Sequence, residues 1–160
     1  IYSYFRVILL YEANMNKKKV SFKNFKLKKF EKLESIKDKN IAKNVNMIEK
    51  KRRFSNKQSL IVLYFKNHMV CSGWMSQGLK WHVSEINKEI DIKNKILLYD
   101  FFTLKKFRNR GFYTKILKLT KNSKTKKRFL IYCLSNNYAS KKGIKNSNFN
   151  FVKSIRKNEI

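Results

Sequence analysis

A glycine and two arginines follow a predicted strand at a spacing that could bind a phosphate. A basic turn comes after the strand, and a helix is predicted from Gly111. A helix N-terminus presents unpaired N–H groups and a partial positive charge. Gly111 would let the backbone approach an anion without a Cβ in the way, and Arg108 and Arg110 would add charge-assisted hydrogen bonds. The residues predict an anion pocket over 108–114, although a plain basic loop with a glycine turn has the same spacing.

Acidic and imidazole side chains near the predicted strands could transfer protons. Asp100 lies inside an apolar run, where burial raises a carboxyl pKa unless an opposite charge is paired with it. Such a group suits a general base, and a role in structural hydrogen bonding fits the same position. Glu85 is a second candidate base, although its surroundings are more typical of a surface residue. His82 could titrate near neutral pH, but a lone histidine is more often structural.

The elements that must position these residues are predicted from the spacing of apolar side chains. From residue 59 onward, compact apolar runs alternate with polar turns. The predicted elements are antiparallel strands at 60–65 and 69–74, a strand at 96–103, a helix at 111–121, a strand at 129–134, a short helix at 137–146 and a last strand at 149–155. This order predicts a mixed α/β or α+β domain with a central sheet.

The first part of the chain allows more than one interpretation. Residues 2–11 fit either an edge strand or the start of a helix, and residues 17–29 are basic with interleaved apolar side chains. Residues 30–53 have helical spacing without proline, with a break expected at 38–40. Residues 76–93 receive no firm assignment.

The length of 160 residues fits a single domain. We expect a basic, largely helical part at 1–55 and a core that carries the motifs at 59–155. With 42% hydrophobic and 14% aromatic residues, a packed core is feasible and a wholly disordered chain is disfavoured. No apolar run approaches the ~20 residues needed to span a bilayer, and no secretory signal is evident, so we expect a cytoplasmic protein.

The charge and the cysteines restrict the partners. The formal net charge is +29, which favours phosphate-rich or anionic partners, although a solvated surface bias explains such a charge equally well. Cys71 and Cys133 stand far apart inside apolar runs, which indicates buried thiols and no disulfide framework. With two histidines and no CxxC pair, no metal site is expected.

The stretch from Arg108 to Tyr113 resembles the acyl-CoA-binding motif of the GNAT superfamily of N-acetyltransferases. That motif has arginine or glutamine, then glycine three residues later, then glycine or alanine two residues after that, between a strand and a helix. Arg108 and Gly111 match it. Tyr113 stands where the small residue is usual, and Asn109 stands where glycine is frequent.

A second resemblance lies downstream, after the next predicted strand. GNAT proteins often have an asparagine, a small residue three later, and a Gly-Phe pair eleven and twelve later. Asn137, Ser140 and Phe149 fall on those offsets, with Asn148 in the glycine position. The resemblance covers about residues 59–155. It implies a GNAT-like α+β fold, with a mostly antiparallel central sheet flanked by helices.

The resemblance also implies an activity: transfer of an acetyl group from acetyl-CoA, as co-substrate, to a primary amine. The strand end would offer backbone groups to the pantetheine arm, and the junction between strand and helix would hold the pyrophosphate. The residues implied to bind acetyl-CoA are Phe102, Thr103, Leu104, Arg108, Asn109, Arg110, Gly111, Phe112, Tyr113, Thr114, Asn137 and Ser140. Catalysis would come mainly from positioning and oxyanion stabilisation, with Glu85 and Asp100 as candidate bases.

The proton donor for the departing thiolate is not fixed by this resemblance. Many family members use a tyrosine four residues before the Gly-Phe pair, and Ile144 stands at that position here. The chain therefore either lacks that acid or uses another group such as Tyr138.

The sequence keeps other functions open. Aromatic side chains interleave with lysines over residues 22–30, as in a basic nucleic-acid-binding module that combines stacking with phosphate attraction. The basic first part could also attach to an anionic membrane. The sequence does not identify the acceptor, for which an amino sugar or a small amine is among the candidates. It does not indicate the oligomeric state either. Because the chain begins with Ile1, a fragment of a longer protein is also compatible with the sequence.

Overall fold

The computed structural model describes residues 6–157. The strands in that range are β1 Val7–Ala13, β2 Phe25–Phe30, β3 Ser59–Phe65, β4 His68–Ser76, β5 Lys80–Val83, β6 Lys88–Asp91, β7 Lys95–Thr103, β8 Arg128–Leu134 and β9 Asn150–Arg156. The α-helices are α1 Lys39–Asn44, α2 Met47–Ser55, α3 Phe112–Thr120 and α4 Tyr138–Asn146. Short 3₁₀ turns lie at Leu33–Ser35 and Lys105–Phe107.

One large sheet organises the described residues, in the strand order β2-β3-β4-β7-β8-β1-β9. Strands β7 and β8 are parallel, and the other neighbours in this sheet are antiparallel. A separate hairpin is formed by β5 and β6. The predicted α+β class, with a mostly antiparallel central sheet flanked by helices, is confirmed.

Both faces of the sheet are covered. Helices α3 and α4 pack on one face, where Phe112 and Ile116 meet Ile131 of β8. Helices α1 and α2 and the β5–β6 hairpin cover the opposite face, where Leu130 of β8 meets Val83. Burial on both sides explains why the central strands are continuous apolar runs rather than alternating ones.

The elements predicted from residue 59 onward are present, with bounds shifted by one or two residues. The β3–β4 hairpin closes through Lys66 and Asn67, which have φ of 48° and 64°. Two consecutive residues with positive φ match the right-handed twist of paired strands, so this turn fixes the hairpin register. Residues 76–93, which had no assignment, contain β5 and β6.

The prediction of a largely helical part over residues 1–55 is wrong in its first half. Strand β1 lies between β8 and β9, so it is neither an edge strand nor the start of a helix; residues 2–5 lie outside the described range. Strand β2 pairs with β3 within the segment interpreted only as basic. Its side chains alternate, with Phe25 and Leu27 packed on the core and the lysines between them outward. Within residues 6–157, the first α-helix begins at Lys39.

Cys71 and Cys133 are buried and unpaired, as predicted. Within residues 6–157, the helices are all too short and too polar to cross a bilayer.

Candidate functional site

Strands β7 and β8 separate part-way along the sheet. Their parallel pairing runs from Lys95 opposite Arg128 to Leu98 opposite Ile131, and it stops there. Beyond that point β7 continues along β4, and β8 continues along β1. The two strands therefore part and leave an opening between their carboxyl ends.

A bulge in β7 accompanies the parting. Tyr99 is opposite Trp74 and Phe102 is opposite Ser72, so Asp100 and Phe101 together face the single residue Gly73. Asp100 has φ of 53°, as expected for the extra residue of a bulge. A bulge bends its strand and shifts the side chains beyond it to the other face. Phe101 consequently points to the α3–α4 face, although Tyr99 lies on the other.

The junction between β7 and α3 is exposed and is not covered by other parts of the described chain. Gly111 adopts the left-handed conformation with φ of 74°, and α3 begins directly after it without a side-chain cap. The main-chain N–H groups of the first turn, at Phe112, Tyr113 and Thr114, are thus the open end of a helix dipole. Phe112 turns its side chain into the core.

Cationic side chains surround this helix end. Arg108 donates from Nε to the carbonyl of Thr103 at 3.0 Å and lies over the ring of Phe102. The ammonium of Lys115 lies 4.0 Å from the point where a Cβ on Gly111 would stand. Arg110 is exposed beside Phe107, and Asn109 is also exposed, with φ of 62°. In the sequence, no acidic residue stands between Asp100 and Glu159, so the turn and helix that form this junction contribute only positive side-chain charge.

Two aromatic rings fill the opening between the parted strands. The rings of Phe101 and Tyr113 lie 5.5 Å apart between centroids. Tyr113 also packs on Gly143 of α4, and its hydroxyl lies near the side chain of Ser140. Burial raises the pKa of the Tyr113 phenol, with the neighbouring Cys133 thiol acting in the same direction. The phenol is therefore neutral at physiological pH.

Asn137 follows the carboxyl end of β8, and the residues of the downstream motif have structural roles. Asn137 caps α4, because its Oδ1 accepts from the backbone N–H of Ser140 at 3.1 Å. Asn148 has φ of 63°, which explains why a glycine or an asparagine suits that position. Ile144 is fully buried in the core. Tyr138 is 75% exposed on the surface of α4 and does not reach the opening.

The main-chain groups near the end of β7 are partly engaged. The N–H of Leu104 donates to the carbonyl of Val70 at 3.0 Å. The hydroxyl of Thr103 lies 3.4 Å from the sulfur of Cys71. These contacts hold the end of β7 against β4, so the strand edge that faces β8 is the one left without a strand partner.

Asp100 lies on the face opposite to α3, and it is paired. Arg53 of α2 donates from Nη1 to its Oδ2 at 2.6 Å, and the Asp100 side chain is 57% exposed. The guanidinium of Arg53 is held over the rings of Trp74 and Tyr99. An opposite charge beside Asp100 was one of the arrangements expected from the sequence, and Arg53 provides it.

Glu85 and Asp100 both lie near the hydroxyl of Tyr132, which follows the last residue of β8 that pairs with β7. Burial raises the pKa of Tyr132 to about 12, and both carboxylates add to this effect. Trp81 donates from Nε1 to the Tyr132 hydroxyl at 3.1 Å. Glu85 accepts from the hydroxyl of Ser84 at 3.4 Å.

Tyr132, Arg53 and Trp81 were not identified as candidate site residues from the sequence. Arg53 is one of 39 basic residues and Tyr132 is inside an apolar strand, so neither stands out. His82 is exposed on β5.

The aromatic residues of the basic segment do not form a stacking surface. Phe22 and Phe25 contact each other, and Phe25 also contacts Phe65 and Phe112 at the core. The nucleic-acid hypothesis thereby loses its stacking component and keeps only phosphate attraction. A cavity of about 460 Å³ lies nearby, with Lys26, Lys28 and Lys37 in its wall, well apart in sequence from the α3 junction.

Comparison with known proteins shows which fold the chain shares. No family model matches the sequence, and no curated protein matches it. An acetyltransferase from the GNAT family of Colwellia psychrerythraea superposes on 92% of this chain with a TM-score of 0.58 and 15% identity. The chain has the GNAT fold. A protein from Novosphingobium aromaticivorans assigned to GNAT acetyltransferases gives a TM-score of 0.58 at 6% identity over 94% of the chain.

A third structural neighbour is a functionally unknown conserved protein from Staphylococcus epidermidis, with a TM-score of 0.59 at 11% identity over 94% of this chain. The matched region covers 59% of that protein, 53% of the Colwellia protein and 61% of the Novosphingobium protein. This chain therefore spans roughly half to three-fifths of the length of each. At these identities the likeness concerns the fold.

Proposed function

We propose that this chain is an N-acetyltransferase that moves an acetyl group from acetyl-CoA to a primary amine. The observation that carries the proposal is the parting of β7 and β8 beside an uncapped, cationic helix N-terminus at Gly111. Open main-chain N–H groups and a glycine in the left-handed conformation suit a diphosphate. Acetyl-CoA, when bound, supplies a thioester that is activated towards amines.

The residues fit the two ends of acetyl-CoA differently. The N–H groups at 112–114, with Arg108, Arg110 and Lys115, supply donors for its phosphates. The opening that would take the arm is filled by Phe101 and Tyr113 in the conformation described. Binding of the whole molecule therefore requires these rings to move.

The groups around Tyr132 would serve the acceptor amine. Asp100 and Glu85 place negative charge on the face opposite to α3, where a cationic amine would approach. A carboxylate there can accept the proton that the amine loses, with Glu85 the better candidate because Asp100 is held by Arg53. Tyr132 is neutral at physiological pH and is a candidate proton donor. It would take over the role of the tyrosine that many family members have where Ile144 stands here.

The test is calorimetric titration of acetyl-CoA into the chain and into Gly111→Glu and Gly111→Ala. Both substitutions strain the backbone at φ of 74°, but only glutamate places a negative charge at the phosphates. We expect Gly111→Glu to bind acetyl-CoA at least about tenfold more weakly than Gly111→Ala. Equal affinities would remove Gly111 from the site.

A panel of amines, with detection of released thiol, tests the reaction itself. The proposal predicts acetyl-CoA-dependent thiol release with at least one primary amine. If neither the chain nor its Tyr113→Ala variant binds acetyl-CoA at millimolar concentration, the proposed function is wrong.

A further inference from the structure

Tyr113 occupies the position that decides whether the opening between β7 and β8 is accessible. It lies in the first turn of α3, two residues after Gly111, so the phosphate-binding end and the ring belong to one turn. Its ring contacts Phe101 of β7 and Gly143 of α4. The ring thus spans the space between the separated strand and the helix that follows β8.

Each of the two rings rests on a glycine. A Cβ on Gly143 would lie 2.5 Å from the ring of Tyr113, and a Cβ on Gly73 would lie 2.2 Å from the ring of Phe101. The chain has only four glycines. Two of the four, Gly73 and Gly143, therefore leave the space in which these two rings lie. The sequence thus accommodates the closed arrangement of the opening.

The contacts that hold Tyr113 are of a kind that can be exchanged. They comprise a polar contact with Ser140 and apolar contacts with Phe101 and Gly143. A thioester arm has amide groups and methylene groups, so it can replace both types of contact within the same space. The ring and the arm would then compete for one place.

We propose that Tyr113 gates the donor groove, so that the arm of an acyl-CoA binds only when the ring leaves Gly143. This inference rests on the proposed acetyl-CoA site. The nucleotide half of the donor contacts the open helix end and does not need the ring to move. Tyr113 therefore sets the affinity for the arm and leaves the affinity for the nucleotide nearly unchanged.

The test compares acetyl-CoA with adenosine 3′-phosphate 5′-diphosphate, which lacks the arm, by calorimetry. Tyr113→Ala should bind acetyl-CoA at least about tenfold more tightly, since the contacts of the ring with Phe101 and Gly143 no longer have to be broken. Its affinity for the nucleotide should change by less than about threefold. Tyr138→Ala, which removes an exposed tyrosine on α4, should change neither affinity.

A second variant guards against misfolding of the first. Gly143→Ala adds volume at the seat instead of leaving a cavity, and it forces the ring off α4. It should also raise the affinity for acetyl-CoA, whereas a merely structural role for Tyr113 predicts weaker binding from both changes. Circular dichroism establishes which variants are folded.

The outcomes separate the two proposals. If the unaltered chain binds acetyl-CoA and the folded variants bind it equally or more weakly, the gate is wrong and the proposed function stands. If the nucleotide gains affinity as much as acetyl-CoA does, the gate is also wrong. If acetyl-CoA binds to none of these proteins, the proposed function is wrong, and the gate is rejected with it.

Discussion

At the scale of single residues, Asp100 shows how far a sequence can be interpreted. It stood out as the polar residue of an apolar strand, and the choice between a raised pKa and a paired charge could be stated in advance. Its partner Arg53 could not be named, because it lies 47 residues away in the sequence, on helix α2. The bulge that Asp100 creates was also hidden, since nothing local distinguishes an extra residue in a strand from a paired one.

Gly111 was predictable for a different reason. A glycine between a basic turn and a helical pattern can adopt a left-handed conformation, and the backbone has φ of 74° there. The requirement is local, so the sequence contains it. The filling of the opening by Tyr113 depends on Gly143, thirty residues further along the chain, and was not visible from the sequence.

Cys71 gives a prediction about alkaline stability. Burial raises the pKa of its thiol to about 11, against an ordinary value of 9.0, with the Thr103 hydroxyl acting weakly in the opposite direction. The unfolded chain therefore releases this proton first as the pH rises. The contribution of the protonated thiol to the free energy of unfolding is complete below about pH 9 and is lost as the pH rises to about 11. The loss is about 2–3 kcal/mol at most.

Urea unfolding at several pH values between about 8 and 11 measures this effect. The free energy of unfolding of Cys71→Ala should fall less steeply across that interval than that of the unaltered chain. Cys71→Ala will be less stable at every pH because of the cavity, so the comparison is of slopes. Parallel slopes would contradict the prediction.

At the scale of elements, the structure follows the sequence where the hydrophobic pattern is long and continuous. Strands β3, β4, β7 and β8 were predicted because burial on both faces requires apolar runs. Strand β2 was missed although Phe25 and Leu27 alternate with lysines, since the charge of the segment obscured its period of two. Strands β5 and β6 have four residues each, too few for a clear pattern.

Asn137 was expected to lie near the acetyl-CoA arm, and its side chain caps α4. Asn137→Ala should lower the free energy of unfolding by about 1 kcal/mol and the melting temperature by roughly 2–4 °C. Asn137→Asp retains a capping oxygen and should melt within about one degree of the unaltered chain. Thermal unfolding by circular dichroism measures both.

A matched cap elsewhere provides the control. Asn46 caps α2 in the same way, with its Oδ1 accepting from the N–H of Glu49 at 3.1 Å. Asn46→Ala should therefore cost a similar free energy of unfolding. If Asn137→Asp is as unstable as Asn137→Ala, capping is not the role of this side chain.

At the scale of the whole molecule, 39 basic residues face 10 acidic ones, and few of these charges can be paired. Like charges across the surface repel one another in the folded state more than in the expanded unfolded chain. This excess was evident from the composition. The grouping of Arg108, Arg110 and Lys115 at one helix end required the fold, because α3 and the turn before it bring these side chains together.

Salt should therefore stabilise the folded chain. The Debye length falls from about 30 Å at 0.01 M to about 3 Å at 1 M salt, so repulsion between surface lysines is largely screened over that range. The melting temperature should rise by several degrees between about 10 mM and 500 mM sodium chloride. Potassium chloride should give the same rise, because screening depends on ionic strength. A melting temperature that falls would show that attractive ion pairs outweigh the repulsion.

The position of β1 between β8 and β9 has a consequence for the order in which the protein can be completed. A ribosome produces Val7 long before Arg128 of β8, and β9 follows β8 in the chain. Throughout most of translation β1 is an apolar strand whose two neighbours do not yet exist, which exposes it to pairing with other nascent chains. Assembly must therefore join β1 to strands that are made much later, and such a long-range closure of a sheet is slow.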